Sequence, residues 1–337
     1  MVSRQERCES LAGVIMRVIA GDLGGTRCRL ALAHVSESSV SFDMMQEYPA
    51  AEFPDFDSVL ARFIEQLPKN VTIVRSCFAV AGPVQGGQAN LTNLPWQLDS
   101  QKLQDRFSIG SVSLINDFAA NGYCLDVLDN SELLPIQPGE NRQGNRVILG
   151  AGTGLGMALV YGHAGTLQVK ASEGGHMDFA PLDEEQDELL RFLRRDLERV
   201  SYEHVLSGPG LVRLYRYLAW KVAENIESVL QQRDVPAAIS RLANEEGEPL
   251  ACRALDLFLR IYGSCAANLA LVGLASGGVY LAGGVTGRLA ERLTNGEFIR
   301  AFLNKPPMQH LLQAMPVKVI THAQAGLLGA AWYAGNR

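Results

Sequence analysis

The sequence predicts an α/β protein of two lobes, each built around a β-hairpin whose connecting loop is largely glycine. Three observations carry this. The stretch GDLGGTRCRLALAHV (21–35) reads as the end of an apolar strand, a glycine loop and a second apolar strand. The same arrangement returns in RVILGAGTGLGMALVYG (146–162), about one domain further along. The chain has 337 residues, enough for two domains with a core each.

The elements follow in order. RVIAGD (17–22), RLALAHV (29–35) and SFDMMQEYPA (41–50) are short apolar or alternating runs joined by tight connections, and each is expected as a strand. DFDSVLARFIEQL (55–67) has apolar residues at helical spacing behind an acidic start. RSCFAVAGPV (75–84), QANLT (88–92) and SVSLINDF (111–118) read as strands again. In the second half LQVKASE (167–173) is a strand. DEEQDELLRFLRRDLERV (183–200) is an amphipathic helix with acids first and bases later, as the helix dipole prefers. Beyond Gly208 the pattern is mostly helical until GGVYLAGGV (277–285). The tail HAQAGLLGAAWYAG (322–335) is a small-residue helix able to pack closely on a sheet.

A Rossmann or P-loop unit would place a helix directly after its glycines, and the GxxxxGK[ST] pattern is absent. Duplicated β-hairpin phosphate loops point instead, by analogy of pattern, to the actin-like, ribonuclease H-like ATPase architecture. In such a loop, backbone N–H groups and a Thr hydroxyl can cradle phosphate oxygens without a helix dipole. Asp22 stands at the lip of the first loop, where a carboxylate would repel phosphate unless a divalent cation lay between them. It is therefore a candidate to orient Mg²⁺ through water, since Mg²⁺ keeps several waters and takes few carboxylates. An ordinary Asp-Gly hairpin turn explains the loop alone equally well.

Composition bounds the function. Hydrophobic residues are 47% and charged residues 20% of the chain, as in soluble globular proteins. The net charge of -6 comes with no basic stripe, which argues against a nucleic-acid partner. The six cysteines (Cys8, Cys28, Cys77, Cys124, Cys252, Cys265) show no metal or disulfide spacing and are expected as free thiols in a reducing cytoplasm. Residues 261–287 carry no charge and exceed the length of a membrane span, but seven glycines interrupt them. They read as a buried helix end, a glycine break, the strand VYLA and a further glycine turn, so no membrane partner is expected.

Three polar stretches have the chemistry of a polyol site. In INDF, Asn116 and Asp117 end an apolar strand, where a carboxylate can take a hydroxyl proton while an amide holds the same ligand. A helix N-cap is the commoner use of such a pair. In SEGGHMDFAP (172–181), Glu173 and His176 bracket two glycines and can converge on one ligand. The glycines speak against a helical metal-binding Glu-x-x-His. In SYEHVLSGPG (201–210), Glu203 precedes a Gly-Pro-Gly turn entering a helix, and alone it would pass for a solvated acid.

Together GDLGGT, LTNLPW, LINDF, GAGTGLG, EGGHMDFAP, VLSGPG and GGVYLAGG, in that order, closely resemble bacterial-type glucokinases from about Arg17 to the C-terminus. The resemblance implies ATP-dependent phosphorylation of D-glucose to glucose 6-phosphate in the cytoplasm, within glycolysis. It implies Asp117 as the general base on the sugar 6-hydroxyl, with Asn116, Asp117, Glu173, His176 and Glu203 holding the sugar. Asp22, Gly24, Gly25 and Thr26 of the first loop and Gly152, Thr153 and Gly154 of the second would take the ATP phosphates and Mg²⁺. Gly283 and Gly284 would lie at the adenosine. It further implies a homodimer, and lobes comprising 17–126 with 319–337 (smaller) and 127–318 (larger), closing on the sugar to exclude water. Residues 1–16 would be a leader, either disordered or a product of start choice. Arg27 departs from the pattern, since many relatives carry a short polar residue after the threonine.

The alternatives differ in class. A sugar kinase of the related repressor/open-reading-frame/kinase group, acting on another hexose or an amino sugar, typically carries a cysteine-rich zinc motif after its histidine. No cysteine follows His176 until Cys252. A sugar-binding regulator without kinase activity would need a DNA-binding module, and fifteen residues before the first strand cannot form one. A polyphosphate or ADP donor would favour a basic groove, which the net charge does not suggest.

Overall fold

The computed structural model describes residues 16–337 except 92, 93, 141 and 163–166. The expected leader lies outside the described residues except for Met16, which belongs to the first strand instead, and Thr92 and Asn93 of the LTNLPW stretch also lie outside them. Contacts divide the chain into two units. One runs to Asp129 and takes in the stretch ending at Val169 and His322–Arg337; the other comprises Asn130–Gly162 and Lys170–Thr321.

The first unit holds a five-stranded sheet in the order β3-β2-β1-β4-β8. Its strands are β1 (Met16–Leu23), β2 (Arg27–Val35), β3 (Val40–Pro49), β4 (Arg75–Val80) and β8 (Ser111–Asn116). β1, β2 and β3 form an antiparallel meander, whereas β1, β4 and β8 run parallel. Three short strands, β5 (Val84–Gln85), β6 (Gln88–Asn90) and β7 (Gln97–Asp99), make a separate small sheet. Of the expected strand over 88–92, the structure has Gln88–Asn90, with Leu91 outside the strand.

The two faces of the large sheet differ in side-chain size. Ile19, Leu23, Leu30, Phe78 and Val80 pack with Phe56, Val59, Leu60 and Phe63 of α1 (Phe56–Ile64), which Asp55 caps by accepting the Ser58 N–H. Helix α2 (Ser100–Phe107) follows β7, and α3 (Asp117–Tyr123) follows β8. By strand alternation the opposite face carries Ala20, Ala31, Ala33, Cys77 and Ala79, all buried. The C-terminal helix packs on β1, β4 and α3. Tyr333 of that helix packs edge-to-face on Tyr123, and its glycines allow close approach, since a methyl on Gly329 would run into the Ala120 carbonyl oxygen. The close packing expected from the small-residue tail is what the structure has.

The second unit holds a six-stranded sheet in the order β12-β11-β10-β13-β14-β9. The strands are β9 (Leu133–Gln137), β10 (Arg146–Ala151), β11 (Leu155–Tyr161), β12 (Gln168–Ser172), β13 (Gly278–Ala282) and β14 (Val317–Ile320). The β10–β11 hairpin repeats β1–β2, and β13 pairs in parallel with β10 as β4 does with β1. β9 and β14 were not read from the sequence; each is short, and Pro135 confines β9 to the sheet edge.

Helices α4 (Glu184–Leu193), α5 (Gly208–Val222) and α6 (Pro249–Gly273) enclose this core. Helix α6 is long and apolar enough to cross a membrane by length and composition, but it is mostly buried among its neighbours. Gly263 lets α8 (Glu297–Leu303) approach it at Phe298, and α7 (Gly284–Arg288) follows β13. The helix expected over 183–200 stops at Leu193. Beyond it the chain must turn to bring Val200 beside Phe179, whose N–H its carbonyl accepts at 3.0 Å. Arg195 meanwhile lies over the Phe192 and Trp220 rings. The final helix, α9 (Ala325–Asn336), belongs to the first unit.

Candidate active site

Register alone brings the first unit's polar motifs to one sheet edge. Leu23 pairs with Val80 and Val80 with Asn116, so the carboxyl ends of β1, β4 and β8 are level. The loop Gly24–Thr26 leaves one of these ends and Asp117 leaves another, two strands or about 10 Å across at ordinary strand spacing. In open α/β sheets the carboxyl ends of the strands are where ligands bind.

Asn116 is the N-cap of α3, its Oδ1 accepting the N–H groups of Phe118 (2.9 Å) and Ala119 (3.1 Å). Its Nδ2 donates to the Gly82 carbonyl at 3.2 Å. The expected capping role is therefore realised, and the second amide hydrogen has no partner among the described residues. Asp117 is half-buried at the first position of the helix, with Oδ1 accepting the Phe118 N–H at 2.9 Å.

In the first glycine loop the Gly24 N–H closes the turn onto the Arg27 carbonyl at 3.0 Å. Asp22 stands directly opposite Arg29 on β2, and Arg29 opposite Glu47 on β3. Arg29 reaches both acids, at 3.5 Å to Asp22 Oδ2 and 2.8 Å to Glu47 Oε2. Burial pushes the Asp22 carboxyl above the usual range, and the Arg29 guanidinium works against that shift. Arg29 was not singled out from the sequence, although hairpin register would have put it opposite Asp22. Arg27 pairs with Glu47 at 2.8 Å, both side chains being exposed.

Mg²⁺ can be tested against these donors. Among the described residues no group of three or more His, Cys, Asp or Glu could hold a metal ion. A lone carboxylate beside a phosphate loop nevertheless suits Mg²⁺, which would draw its remaining ligands from water and phosphate oxygens.

The second unit brings three motifs together. In the loop between β10 and β11 the Gly152 N–H closes the turn onto the Gly154 carbonyl at 2.9 Å, and Thr153 is exposed. Gly174–His176 form a single 3₁₀ turn. A methyl on Gly175 would run into the Leu155 carbonyl oxygen, so this turn lies directly against the glycine loop. Glu173 and His176 are both exposed at its two ends. The turn is fastened to SYEH by the Tyr202 N–H, which donates to the Met177 carbonyl at 2.9 Å, and by edge-to-face packing of Phe179 on Tyr202 at 6.0 Å. Glu203 is half-buried, and its Oε2 accepts the Leu155 N–H at 2.9 Å.

His204, next to it, accepts the Ser201 N–H on Nδ1 at 3.1 Å, completing a capping box. Burial pushes its imidazole below the usual range, with Arg213 adding to the effect and Glu203 opposing it. Neither His204 nor Gly175 was recognised in the sequence as holding these motifs in place.

Gly283 and Gly284 end β13 beside the same loop. Gly283 has φ 92° and ψ 154°, and a Cβ there would lie 2.5 Å from the Ala151 oxygen. Gly284 opens α7, and Thr286 Oγ1 accepts the Ala151 N–H at 3.3 Å while bonding to Tyr262 Oη at 3.0 Å. The expected glycine turn runs at once into a short helix.

Two mixed sheets, each with a glycine-looped antiparallel hairpin beside parallel strands, define an actin-like ATPase fold, and the motif set is that of a sugar kinase. A family model described as Glucokinase matches residues 19–337. The glucokinase of Nostoc sp. (strain PCC 7120) is 38% identical over 333 residues, covering 93% of this chain and 97% of that one. The glucokinase of Psychromonas ingrahamii is 35% identical over 317 residues, covering 94% and 96%. Among solved structures, a glucokinase from an Antarctic psychrotroph superposes with a TM-score of 0.83 at 32% identity, covering 95% of this chain and 99% of that one. A glucokinase of the ROK family from Streptomyces griseus, solved with glucose and AMPPNP, shares the fold at 19% identity and a TM-score of 0.66, covering 95% and 100%. The chain belongs to the glucokinase family, enzymes that phosphorylate glucose with ATP.

Proposed function

We propose that the protein transfers the γ-phosphoryl group of ATP to the 6-hydroxyl of D-glucose, with Asp117 as general base. The observation that carries the role of Asp117 is its position at the carboxyl end of β8, level with the first glycine loop. Phosphoryl transfer needs mainly positioning and charge neutralisation, and one carboxylate to steer the nucleophile and take its proton. Glu173, His176 and Glu203 accept and orient the remaining sugar hydroxyls, with the free amide hydrogen of Asn116. A buried acceptor left unpaired by a missing hydroxyl costs orders of magnitude in selectivity.

The loop amides of Gly25, Thr26, Thr153 and Gly154 hold phosphate oxygens. In both loops the first glycine N–H closes the turn, and the two amides after it have no protein partner among the described residues. Gly24 and Gly152 shape these loops, and Gly283 and Gly284 border the adenosine. Mg²⁺, when bound, neutralises phosphate charge, and Asp22 orients it through water. A cytoplasmic homodimer acting in glycolysis completes the proposal, and sedimentation equilibrium tests the assembly.

The activity is tested by a coupled assay for glucose 6-phosphate with Mg²⁺-ATP and glucose, run in parallel with mannose, fructose and N-acetylglucosamine. Turnover confined largely to glucose is expected. Asp117→Asn should keep the fold and most of the glucose affinity and lower kcat by about 10²–10⁴-fold. Near-normal turnover of that variant would refute the base assignment. Changes at Glu173 and His176 should raise the glucose KM.

A further inference from the structure

Glu203 has two carboxylate oxygens, and the fold has already committed one of them. Oε2 accepts the N–H of Leu155, the first residue after the second glycine loop, at 2.9 Å. The same oxygen lies 2.5 Å from where a Cβ on Gly154 would stand, so the carboxylate is pressed against the loop itself. The turn bearing Glu203 grips the other side of the loop too. The Gly208 N–H donates to the Gly152 carbonyl at 2.8 Å, and Ser207 Oγ ties α5 back to the Glu203 carbonyl at 2.8 Å.

The loop is thus clamped at both ends. Its entry, at Gly152, is held by the backbone of α5's first turn, and its exit, at Leu155, by a side chain. A backbone clamp tolerates most substitutions, whereas the exit clamp depends on one carboxylate. That carboxylate's second oxygen is also the atom left to meet a sugar hydroxyl.

We propose that Glu203 is a positioning residue for the phosphate loop as well as a sugar ligand, and that it couples sugar binding to nucleotide binding. The proposal rests on reading Gly152–Gly154 as a phosphate loop. Oε2 fixes the direction of the Leu155 peptide and hence the aim of the Thr153 and Gly154 amides; Oε1 answers to the sugar. A hydroxyl donating to Oε1 immobilises the carboxylate and with it the loop exit, so each ligand should tighten the other by the same factor.

The test measures binding of AMPPNP with Mg²⁺ by titration calorimetry, with and without glucose, on wild type, Glu203→Ala and Glu203→Gln. Wild-type protein that bound no AMPPNP would overturn the phosphate-loop reading itself, before any variant was compared. Given wild-type binding, Glu203→Ala should weaken sugar-free AMPPNP binding about tenfold or more, the size of one lost charge-assisted hydrogen bond. It should also abolish the tightening by glucose. An amide oxygen can still accept the Leu155 N–H, so Glu203→Gln should keep sugar-free AMPPNP affinity within about threefold while raising the glucose KM. Sugar-free AMPPNP affinity unchanged in Glu203→Ala, with glucose KM alone raised, would reduce Glu203 to a sugar ligand. Glu203→Gln losing nucleotide affinity as Glu203→Ala does would equally overturn the proposal. Should Glu203→Ala fail to fold, Glu203→Gln decides through its coupling. With an amide nitrogen where Oε1 stood it cannot accept a sugar hydroxyl, so glucose should tighten AMPPNP far less than in wild type, and undiminished tightening would overturn the proposal.

Discussion

Gly283 and Gly284 are neighbours in sequence with opposite requirements, and alanine substitution separates them. At Gly283 the backbone sits at φ 92° and ψ 154°, a region almost reserved for glycine, where any other residue costs about 1–3 kcal/mol. The added methyl would also lie 2.5 Å from the Ala151 oxygen and 2.9 Å from its carbonyl carbon, backbone atoms that cannot rotate away. Forced overpacking of this kind costs about another 1–3 kcal/mol. Gly283→Ala should therefore destabilise by about 2–6 kcal/mol, lowering the melting temperature by about 5 °C or more. Since Ala151 leads into the Gly152–Gly154 loop, the KM for ATP should rise as well. At Gly284 nothing lies within 4 Å of an added methyl, and the residue opens a helix. Gly284→Ala should be neutral or stabilise by up to about 1 kcal/mol. Thermal unfolding with ATP kinetics on both variants is the assay. Equal melting temperatures for the two would refute the reasoning that close approach to Ala151 dictates glycine at 283.

Three further outcomes are expected. His204 has its imidazole pKa lowered in the folded state, so the unfolded chain takes up the proton first and stability falls as pH drops through about 6.5. Glutamine can complete the same capping box without titrating, so His204→Gln should lose less melting temperature between pH 7.5 and 5.5; an identical slope would exclude His204 as the cause. Asp22→Asn should raise the Mg²⁺ concentration for half-maximal rate by about tenfold or more, the usual effect of losing an outer-shell partner, and an unchanged Mg²⁺ curve would dismiss Asp22 from that role. Gly329→Ala should prise α9 from α3 at Ala120 and destabilise by about 1–3 kcal/mol in urea unfolding, against no loss if the helices can part freely.

What could be read in the sequence was whatever depends on local pattern. The paired hairpins, the buried-helix-to-strand reading of 261–287 and the packing tail each follow from periodicity and glycine punctuation within a short window. The motif residues could be named because each sits at an element boundary, where polar side chains stand out against apolar runs. What could not be read was pairing across distance. The ladder Asp22–Arg29–Glu47 requires the register of two hairpins at once, and the contacts of Gly175 and Glu203 with Leu155 join segments with no sequence signal for one another. The short strands β9, at the sheet edge, and β14, inside it, escaped for a related reason. Five and four residues are too few for a period to emerge, and only the neighbouring strand makes them strands.

The two glycine loops are near repeats in sequence, yet the protein supports them by different physics. The first is backed by charge, with Arg29 spanning two carboxylates on a part-exposed sheet face. The second is backed by hydrogen bonds into packed backbone, through Gly208 and Glu203. The Arg29 pairs are partly exposed, so salt screens them in part and an arriving cation can exchange into them. The second loop's entry is instead a peptide hydrogen bond nearly indifferent to both, and only its exit depends on a carboxylate. That difference matches the polar groups each loop carries: Asp22 lies beside the first, where a cation would need a carboxylate able to exchange partners. The second has no acid of its own, and the carboxylate that touches it, Glu203, comes from the neighbouring SYEH turn. The same hairpin occurs twice, and the residues opposite each copy, rather than the glycines in it, set the two loops apart.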